Sequence, residues 1–375
     1  MVAHAVAHVH MGWLASLRQP ELALAWPLAE WQRVVPLARR TRLLARLAEG
    51  LSDRGLLDQV PLQPRRHLLA DQCLSRWRML QLRWTLAHVE SALAGAPYPT
   101  VLLKGTAYLA QGLPIAAGRL PSDLDLLVPR AHLEDAQARL FAADWAEQPM
   151  DAHDRKYYHD WSHEVPPMTH PQTQVELDLH HNILPPVAHV PIDAALLLAD
   201  CVPSGWPHWQ VLSPVDQVLH SAAHLFFDAD LRDRLRDLVD LDGLLRHFPA
   251  QWPGNEFWTV LCARADQLGL QEPLALALHF CQRWLSTPVP APVVAHGRRV
   301  GPGHLQRAWL LPALATAMAP GDTSMLPGWR VSVSARLLQM RYHLRRMPLE
   351  MLVPHLWHKW RRAAAPMGGG GSGTA

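Results

Sequence analysis

Asp123 and Asp125 are separated by one residue in the run Ser122-Asp123-Leu124-Asp125-Leu126-Leu127-Val128. That run reads as a β-strand. Side chains two apart on a strand share a face, so the two carboxylates converge. Paired carboxylates at the start of a strand make a hard-oxygen site suited to Mg2+. Upstream, Val101-Leu102-Leu103-Lys104-Gly105-Thr106 is a short apolar run ending at a glycine, the pattern of a buried strand entering a tight turn. A glycine at such a turn lets backbone N–H groups approach a phosphate. Each stretch alone reads as a surface turn or a solvated strand end. Together they point to metal-assisted chemistry on a nucleotide phosphate.

A third stretch, Gln174 to His180, alternates strictly. Val175, Leu177 and Leu179 fall on one strand face, and Glu176, Asp178 and His180 on the other. With the apolar face in a core, the acidic face must open onto a cleft. Glu176 and Asp178 lie about 6.5–7 Å apart on that face, and both are candidates for a third acid.

Two other groups have metal-ligand character. His220 and His224, at i and i+4 of a helix, share a face with Asp228 one turn on. A zinc hydrolase of the HExxH type would need Glu at 221, where the chain has Ser, so the structural reading of this pair is preferred. His153, His159, His163, His170, His180 and His181 form a denser set that lines a substrate pocket, binds a transition metal or simply decorates a polar hairpin. Residues 330–362 hold seven Arg and one Lys against the single acid Glu350. They read as a solvated basic face, with docking of tRNA or another polyanion as the functional alternative.

The elements that must position these residues fall into three regions. Residues 1–97 read as helical, with helices over Glu21–Gln32 and Pro36–Ser52 and a long one after Pro64. Leu69, Cys73, Trp77, Leu80 and Trp84 recur at helical spacing and are expected to face the core. Residues 98–205 alternate strands and helices: Thr100–Leu103, Asp123–Val128, a helix over Ala131–Ala142, and a hairpin turning at His170-Pro171-Gln172. Residues 206–365 are helical again, with Pro214 in a first turn, an acidic Leu-rich helix at Arg232–Arg246, a loop between Trp284 and Gly303, and basic helices at Val331–Met347 and Leu349–Arg362. One acid of the Arg232–Arg246 helix is a candidate partner for Arg119. Residues 366–375 read as an appended Gly/Ser linker outside the fold.

Composition narrows the class. At 375 residues, 49% hydrophobic and 18% charged, the chain is an ordinary globular protein with a real core. A formal net charge of +2 gives no general pull toward nucleic acid. The cysteines, Cys73, Cys201, Cys262 and Cys281, form no CxxC pair, which disfavours a zinc ribbon or disulfide scaffold and fits a reducing compartment. The most apolar window, Ala308–Ala319, is about half of the ~20 residues a membrane helix needs, and no signal peptide is read. The expectation is a soluble cytoplasmic protein with no membrane partner.

The ordered set Leu103-Lys104-Gly105, Gly118-Arg119-Leu120-Pro121-Ser122-Asp123-Leu124-Asp125-Leu126-Leu127-Val128 and Glu176-Leu177-Asp178-Leu179-His180 resembles the nucleotidyltransferase superfamily of DNA polymerase β. More closely, it is similar to a bacterial family of minimal nucleotidyltransferases with Leu-Lys-Gly, an Arg before the acidic pair, and an Asp-x-His strand. The resemblance spans Val101–His181. It departs from the superfamily in having Thr106 after the glycine and a longer run to Asp123.

What the resemblance implies is an α+β fold: a small mixed sheet of the polymerase β type, flanked by N- and C-terminal helical regions. It implies an enzyme that moves a nucleotidyl group from an NTP to a hydroxyl or phosphate acceptor and releases pyrophosphate. Asp123, Asp125 and Asp178 are the implied catalytic and metal residues, holding one or two Mg2+; the family's Asp-x-His pattern favours Asp178 over Glu176. Lys104, Gly105, Thr106, Arg119 and Ser122 are the implied nucleotide-phosphate contacts. His180 orients a metal-bound carboxylate or is a plain polar strand residue. The acceptor stays open among a small molecule such as an antibiotic, a peptide, a protein or tRNA. Two other classes remain beside this one: a catalytically silent nucleotide- or polyanion-binding module, and a metallohydrolase using His220 and His224.

Overall fold

Short runs of β-branched and leucine residues between Val101 and Val211 assemble one mixed sheet, and amphipathic helices from both ends of the chain cover it. The structure is a computed structural model. It describes residues 12–150, 158, 162–173, 175–186, 190–227, 231–232, 234–319 and 328–346. Before the sheet come α1 (Leu28–Arg40), α2 (Leu44–Asp53) and α3 (Leu62–Ala92). The sheet region holds β1 (Val101–Leu102), α4 (Lys104–Ala110), β2 (Asp123–Leu127), α5 (Leu133–Ala142), β3 (Ala146–Glu147), β4 (Met168–Thr169) and β5 (Glu176–His180). It continues with α6 (Ala194–Ala199), β6 (Val202–Pro203) and β7 (Gln210–Val211). Then follow α7 (Pro214–Phe226), α8 (Leu235–His247), α9 (Glu256–Leu268), α10 (Gln271–Leu285), α11 (Ala291–Val300), α12 (His304–Met318) and α13 (Gly328–Arg346). This is the α+β architecture expected.

The seven strands run in the order β3-β4-β5-β2-β1-β7-β6. β2 and β5 are parallel neighbours at the centre, and β1 is antiparallel to β2 and parallel to β7. The parallel register sets Asp125 beside Asp178 and Asp123 beside Glu176. The sheet therefore reaches past residue 205, because β7 completes it alongside β1.

α7 begins as its sequence demands: Ser213 caps it, its hydroxyl accepting from the Asp216 N–H at 3.2 Å, with Pro214 in the first turn. Its residues from Val215 to Ala223 are all buried beneath the sheet region and α10.

Several local expectations are corrected. The segment expected as the helix Glu21–Gln32 is a 3-10 turn, Pro20–Ala25, followed by α1, which carries Pro36 inside it. The region between Trp284 and Gly303 contains α11, entered through a proline in the first turn. The Leu69–Trp84 stripe of α3 faces outward, with Trp77 40%, Leu80 66% and Trp84 50% exposed. The buried face bears Leu68, Leu82, Leu86 and Val89 together with Asp71, Gln72, Ser75 and Thr85. Those polar groups are satisfied inward: Arg39 donates to Asp71, Gln72 to Glu49, and Ser75 to the Arg119 carbonyl. The helix carries two apolar stripes, and the one that is buried is the one whose interleaved polar groups find hydrogen-bond partners.

Among the described residues no helix is long and apolar enough to cross a membrane. Arg341 and Arg345 of the basic segment both pair with Glu272, so part of that face is used inside the fold. The expected helix Leu349–Arg362 lies outside the described residues, as do His153, His159, Asp228 and the appended linker at 366–375.

Candidate active site

β2 and β5 bring Asp123, Asp125 and Asp178 together, with their ligand oxygens within 4.8 Å of one another. Parallel pairing with Asp125 opposite Asp178 makes this unavoidable, since register partners on one face of a sheet are adjacent. Glu176, the competing acid, is exposed and accepts from Gln148 Nε2. The crowding has an electrostatic signature. Burial, and then the charge of Asp125, push the Asp178 carboxyl up to about 7. A hard-oxygen trio that resists its own full ionisation fits a divalent cation, which relieves the repulsion between the acids.

Asp125 is the hub. It is buried, and burial by itself raises its pKa. The ammonium of Lys104 and the hydrogen bond from His180 outweigh that and hold it well below the usual carboxylate range. Lys104 Nζ lies 2.7 Å and His180 Nε2 3.1 Å from Asp125 Oδ1. Lys104 opens α4 directly after Leu103, with φ at +46°. A non-glycine residue in the left-handed region is uncommon and is retained only where its surroundings demand it. Burial lowers the pKa of Lys104, but Asp125 and Asp123 more than offset it and keep the amine charged.

The expected tight turn at Gly105 is instead the first turn of α4. Gly105 is needed for a different reason. A Cβ there would sit 1.7 Å from Arg119 Nη1, so the glycine makes room for a guanidinium. Gly118, at φ +66° and pressed against the backbone of Ala45 and Arg46, turns the chain to deliver Arg119 to that place. Arg119 is buried, 3.0 Å from Asp240 of α8, and its guanidinium lies 5.7 Å from the centroid of the Tyr108 ring. Arg46 reaches the same Asp240 at 2.9 Å. Thr106 is buried, lines neither cavity described below, and its hydroxyl has no hydrogen-bond partner among the described residues.

Two cavities flank Lys104 and His224, which line both. The smaller, about 380 Å³, contains Ser122, Asp123 and Asp125 and is edged by Arg40, Arg42, Arg119, Arg232, Arg234 and Arg236. Ser122 Oγ donates to Asp123 Oδ1 at 3.0 Å. Arg236 bonds Asp237 and the Leu120 carbonyl, tying α8 to the loop before Asp123. The side chain of Arg42, another left-handed residue at φ +57°, makes no hydrogen bond or ion pair among the described residues, although its backbone N–H donates to the Arg39 carbonyl. Partial desolvation, then the like charge of Arg236, lower its pKa. The larger cavity, about 620 Å³, is walled by apolar side chains such as Ile183, Leu184, Val190 and Phe227, with His163 and Glu164 on one side.

Sequence reasoning missed Arg42, Arg236 and Glu164. Only the basic run Arg39-Arg40-Thr41-Arg42 signalled the first, and it is far from the acidic motif in sequence. Conversely, His220 and His224 lie side by side on α7 with ring centroids 6.5 Å apart, yet neither joins a metal-capable group among the described residues. Burial holds both below the ordinary histidine pKa, His224 at about 3. The histidine-rich set also disperses: His170 packs on Trp145 and His88, and His181 bonds the Ser162 carbonyl, while His163 and His180 stay adjacent.

The crystal structure of JHP933 from Helicobacter pylori is similar over 78% of this chain and 98% of that one, at 14% identity and a TM-score of 0.31, a likeness too slight to bear on function. No curated protein matches the sequence. A family model described as "Uncharacterised nucleotidyltransferase" matches residues 27–286, which takes in the sheet, part of each flanking helical region and the carboxylate trio. The chain belongs to that family, and is an enzyme of the nucleotidyltransferase class.

Proposed function

We propose that the protein transfers a nucleotidyl group from an NTP to a hydroxyl or phosphate acceptor, with Mg2+ and with release of pyrophosphate, on a core of the DNA polymerase β type. The observation that carries this is the convergence of Asp123, Asp125 and Asp178 beside an arginine-edged cavity. Asp123, Asp125 and Asp178 would hold one or two Mg2+ ions between them, with Asp178 as the third acid. When bound there, Mg2+ neutralises phosphate charge and activates the acceptor oxygen.

The chain's own groups do the rest. Lys104, Arg42 and Ser122 line the triphosphate cavity, two as cations and one as a hydroxyl donor. Arg119, placed by Gly105 and Asp240, sets positive potential behind them without having to leave its ion pair. Thr106 packs beneath this turn. His180 orients Asp125 by its hydrogen bond. The acceptor enters from the larger cavity, so donor and acceptor meet at Lys104 and His224, which line both.

Each α-labelled NTP is incubated with the full-length protein, Mg2+ and a lysate of the source organism. A labelled acceptor and pyrophosphate should form with one nucleotide, and EDTA or Asp123→Ala should abolish both. Transfer that persists in Asp123→Ala and Asp125→Ala together would remove these acids from the reaction.

A further inference from the structure

We propose that His163, Glu164 and His180 form a second metal site, separate from the carboxylate trio. It takes a borderline-soft divalent ion of the Zn2+ class and keeps an open coordination position toward the 620 Å³ cavity. One ligand atom from each residue lies within 4.8 Å of the others. Glu164 Oε2 is 3.4 Å from His180 Nδ1 and 3.9 Å from His163 Nε2. The edge of a tetrahedron with metal–ligand bonds of about 2.0–2.1 Å is roughly 3.3 Å, so small side-chain shifts close the set.

The second observation is the state of His180. Its side chain is buried, and Nε2 faces the Asp125 carboxylate, which can only accept. In the neutral imidazole that a metal ion binds, the proton therefore sits on Nε2 and the lone pair on Nδ1. That Nδ1 is buried, has no hydrogen bond among the described residues, and lies 3.4 Å from Glu164 Oε2. A carboxylate holding one imidazole nitrogen while the other faces a ligand position is the arrangement that fixes metal-binding histidines.

The backbone is fixed as well. Glu164 and His180 are partners in an antiparallel bridge. The His181 N–H donates to the His163 carbonyl at 2.8 Å, and the Val165 N–H to the Leu179 carbonyl at 3.0 Å. Two imidazoles and one carboxylate favour zinc-like ions over Mg2+, which prefers all-oxygen sites. His163 and Glu164 line the large cavity and His180 lies behind them, so the free position faces the cavity. A ligand with a hydroxyl, carboxylate or phosphate could fill it. This site stands independently of the nucleotidyl-transfer reading.

The test uses Co2+ as a spectroscopic probe on full-length protein stripped of metal, with excess Mg2+ present throughout. One Co2+ per chain should bind, give visible d–d absorption and be displaced by Zn2+. His163→Ala and the near-isosteric Glu164→Gln should each weaken binding by more than about 100-fold. Asp178→Asn, in the other cluster, should leave Co2+ affinity within a few-fold. Absence of stoichiometric binding, or binding unchanged in both His163→Ala and Glu164→Gln, overturns the proposal. An equal loss in Asp178→Asn overturns its separateness from the trio.

Discussion

Lys104 and Asp125 form a buried ion pair, 2.7 Å apart, at the junction where β1 becomes α4 and directly beneath the other two acids. A lysine in a left-handed conformation is not the default for a strand–helix turn. The pair explains it, because the turn aims the ammonium at the one acid that is fully inside. Removing one partner leaves the other charge buried and unpaired. Lys104→Met is therefore expected to destabilise the fold by about 3–5 kcal/mol. In the Lys104→Met/Asp125→Asn double variant much of that loss should return. Urea denaturation of the four proteins of this cycle measures it, and additive effects would show that the two side chains act separately.

The glycine of the Leu-Lys-Gly motif gives a different kind of prediction. A methyl group at Gly105 collides with Arg119, whose guanidinium is held by Asp240 and by the Tyr108 ring. Gly105→Ala should cost about 1–3 kcal/mol, as overpacking does. In an Arg119→Ala background the same substitution should cost far less, because the obstacle is gone. Thermal unfolding of the single and double variants decides the point. An equal cost in both backgrounds would place the strain in the helix backbone instead.

The central acidic constellation was legible in sequence because strand alternation is a local rule. Asp123 and Asp125, and Glu176 and Asp178, had to share faces wherever the strands went. Which acid joins the trio was not local. It depends on the register of β2 against β5, and the Asp-x-His resemblance supplied what alternation could not. Gly105 reads in sequence as a tight turn that lets backbone approach a phosphate, whereas it lies in the first turn of α4 and the group packed against it is the side chain of Arg119. The outward stripe of α3 failed for a related reason. The polar residues on its buried face are met by partners, Glu49, Arg39 and the Arg119 carbonyl, that no window on that helix contains.

Acid stability should report on α7. Burial holds His220 and His224 below the ordinary histidine pKa, His224 at about 3. The unfolded chain takes up these protons near pH 6.5 and the folded one does not, so folding stability falls as pH drops below about 6.5. For His224 the loss continues until about pH 3. Each such histidine contributes a slope of about 1.4 kcal/mol per pH unit inside its window. Replacing His224 with Gln should flatten the slope between pH 6 and 4 by about that amount. An unchanged slope in chemical denaturation across that range would mean that His224 is protonated in the folded protein.

Arg42 should matter to nucleotide binding and little to folding. It stands on the arginine-edged cavity, its side chain makes no ion pair or hydrogen bond among the described residues, and its pKa is lowered by desolvation and by Arg236. A cation so placed gains from an incoming phosphate and gives up nothing to receive it. Charge-assisted hydrogen bonds contribute about 1.5–3 kcal/mol. Arg42→Ala should therefore raise the KM for the NTP by roughly 10- to 100-fold while the melting temperature stays near the parent's. A large drop in melting temperature with unchanged KM would give Arg42 a structural role.

The choice between Asp178 and Glu176 tests the site most directly. Asp178 lies beside Asp125, and its carboxyl is pushed up to about 7 by burial and by that neighbour, so it pays a standing electrostatic penalty in the absence of a cation. Glu176 sits opposite Asp123 in the register but is exposed and bonded to Gln148, outside the trio. Asp178→Asn keeps the shape and removes one negative ligand. The nucleotide can still bind through Asp123, Asp125 and the cationic cavity, whereas the acceptor loses its activating position. Turnover should fall by a factor on the order of 100 or more with only a modest change in nucleotide KM, the pattern of an interaction made mainly in the transition state. The same substitution removes the repulsion with Asp125, so the metal-free variant should be more stable than the parent at pH 8, where the parent's Asp178 is ionised, and the gain should shrink toward pH 4. Glu176→Gln should change neither quantity by more than a few-fold. A pyrophosphate-release assay that ranks the two variants the other way would transfer the role to Glu176 and require the β2–β5 register to differ from the one described.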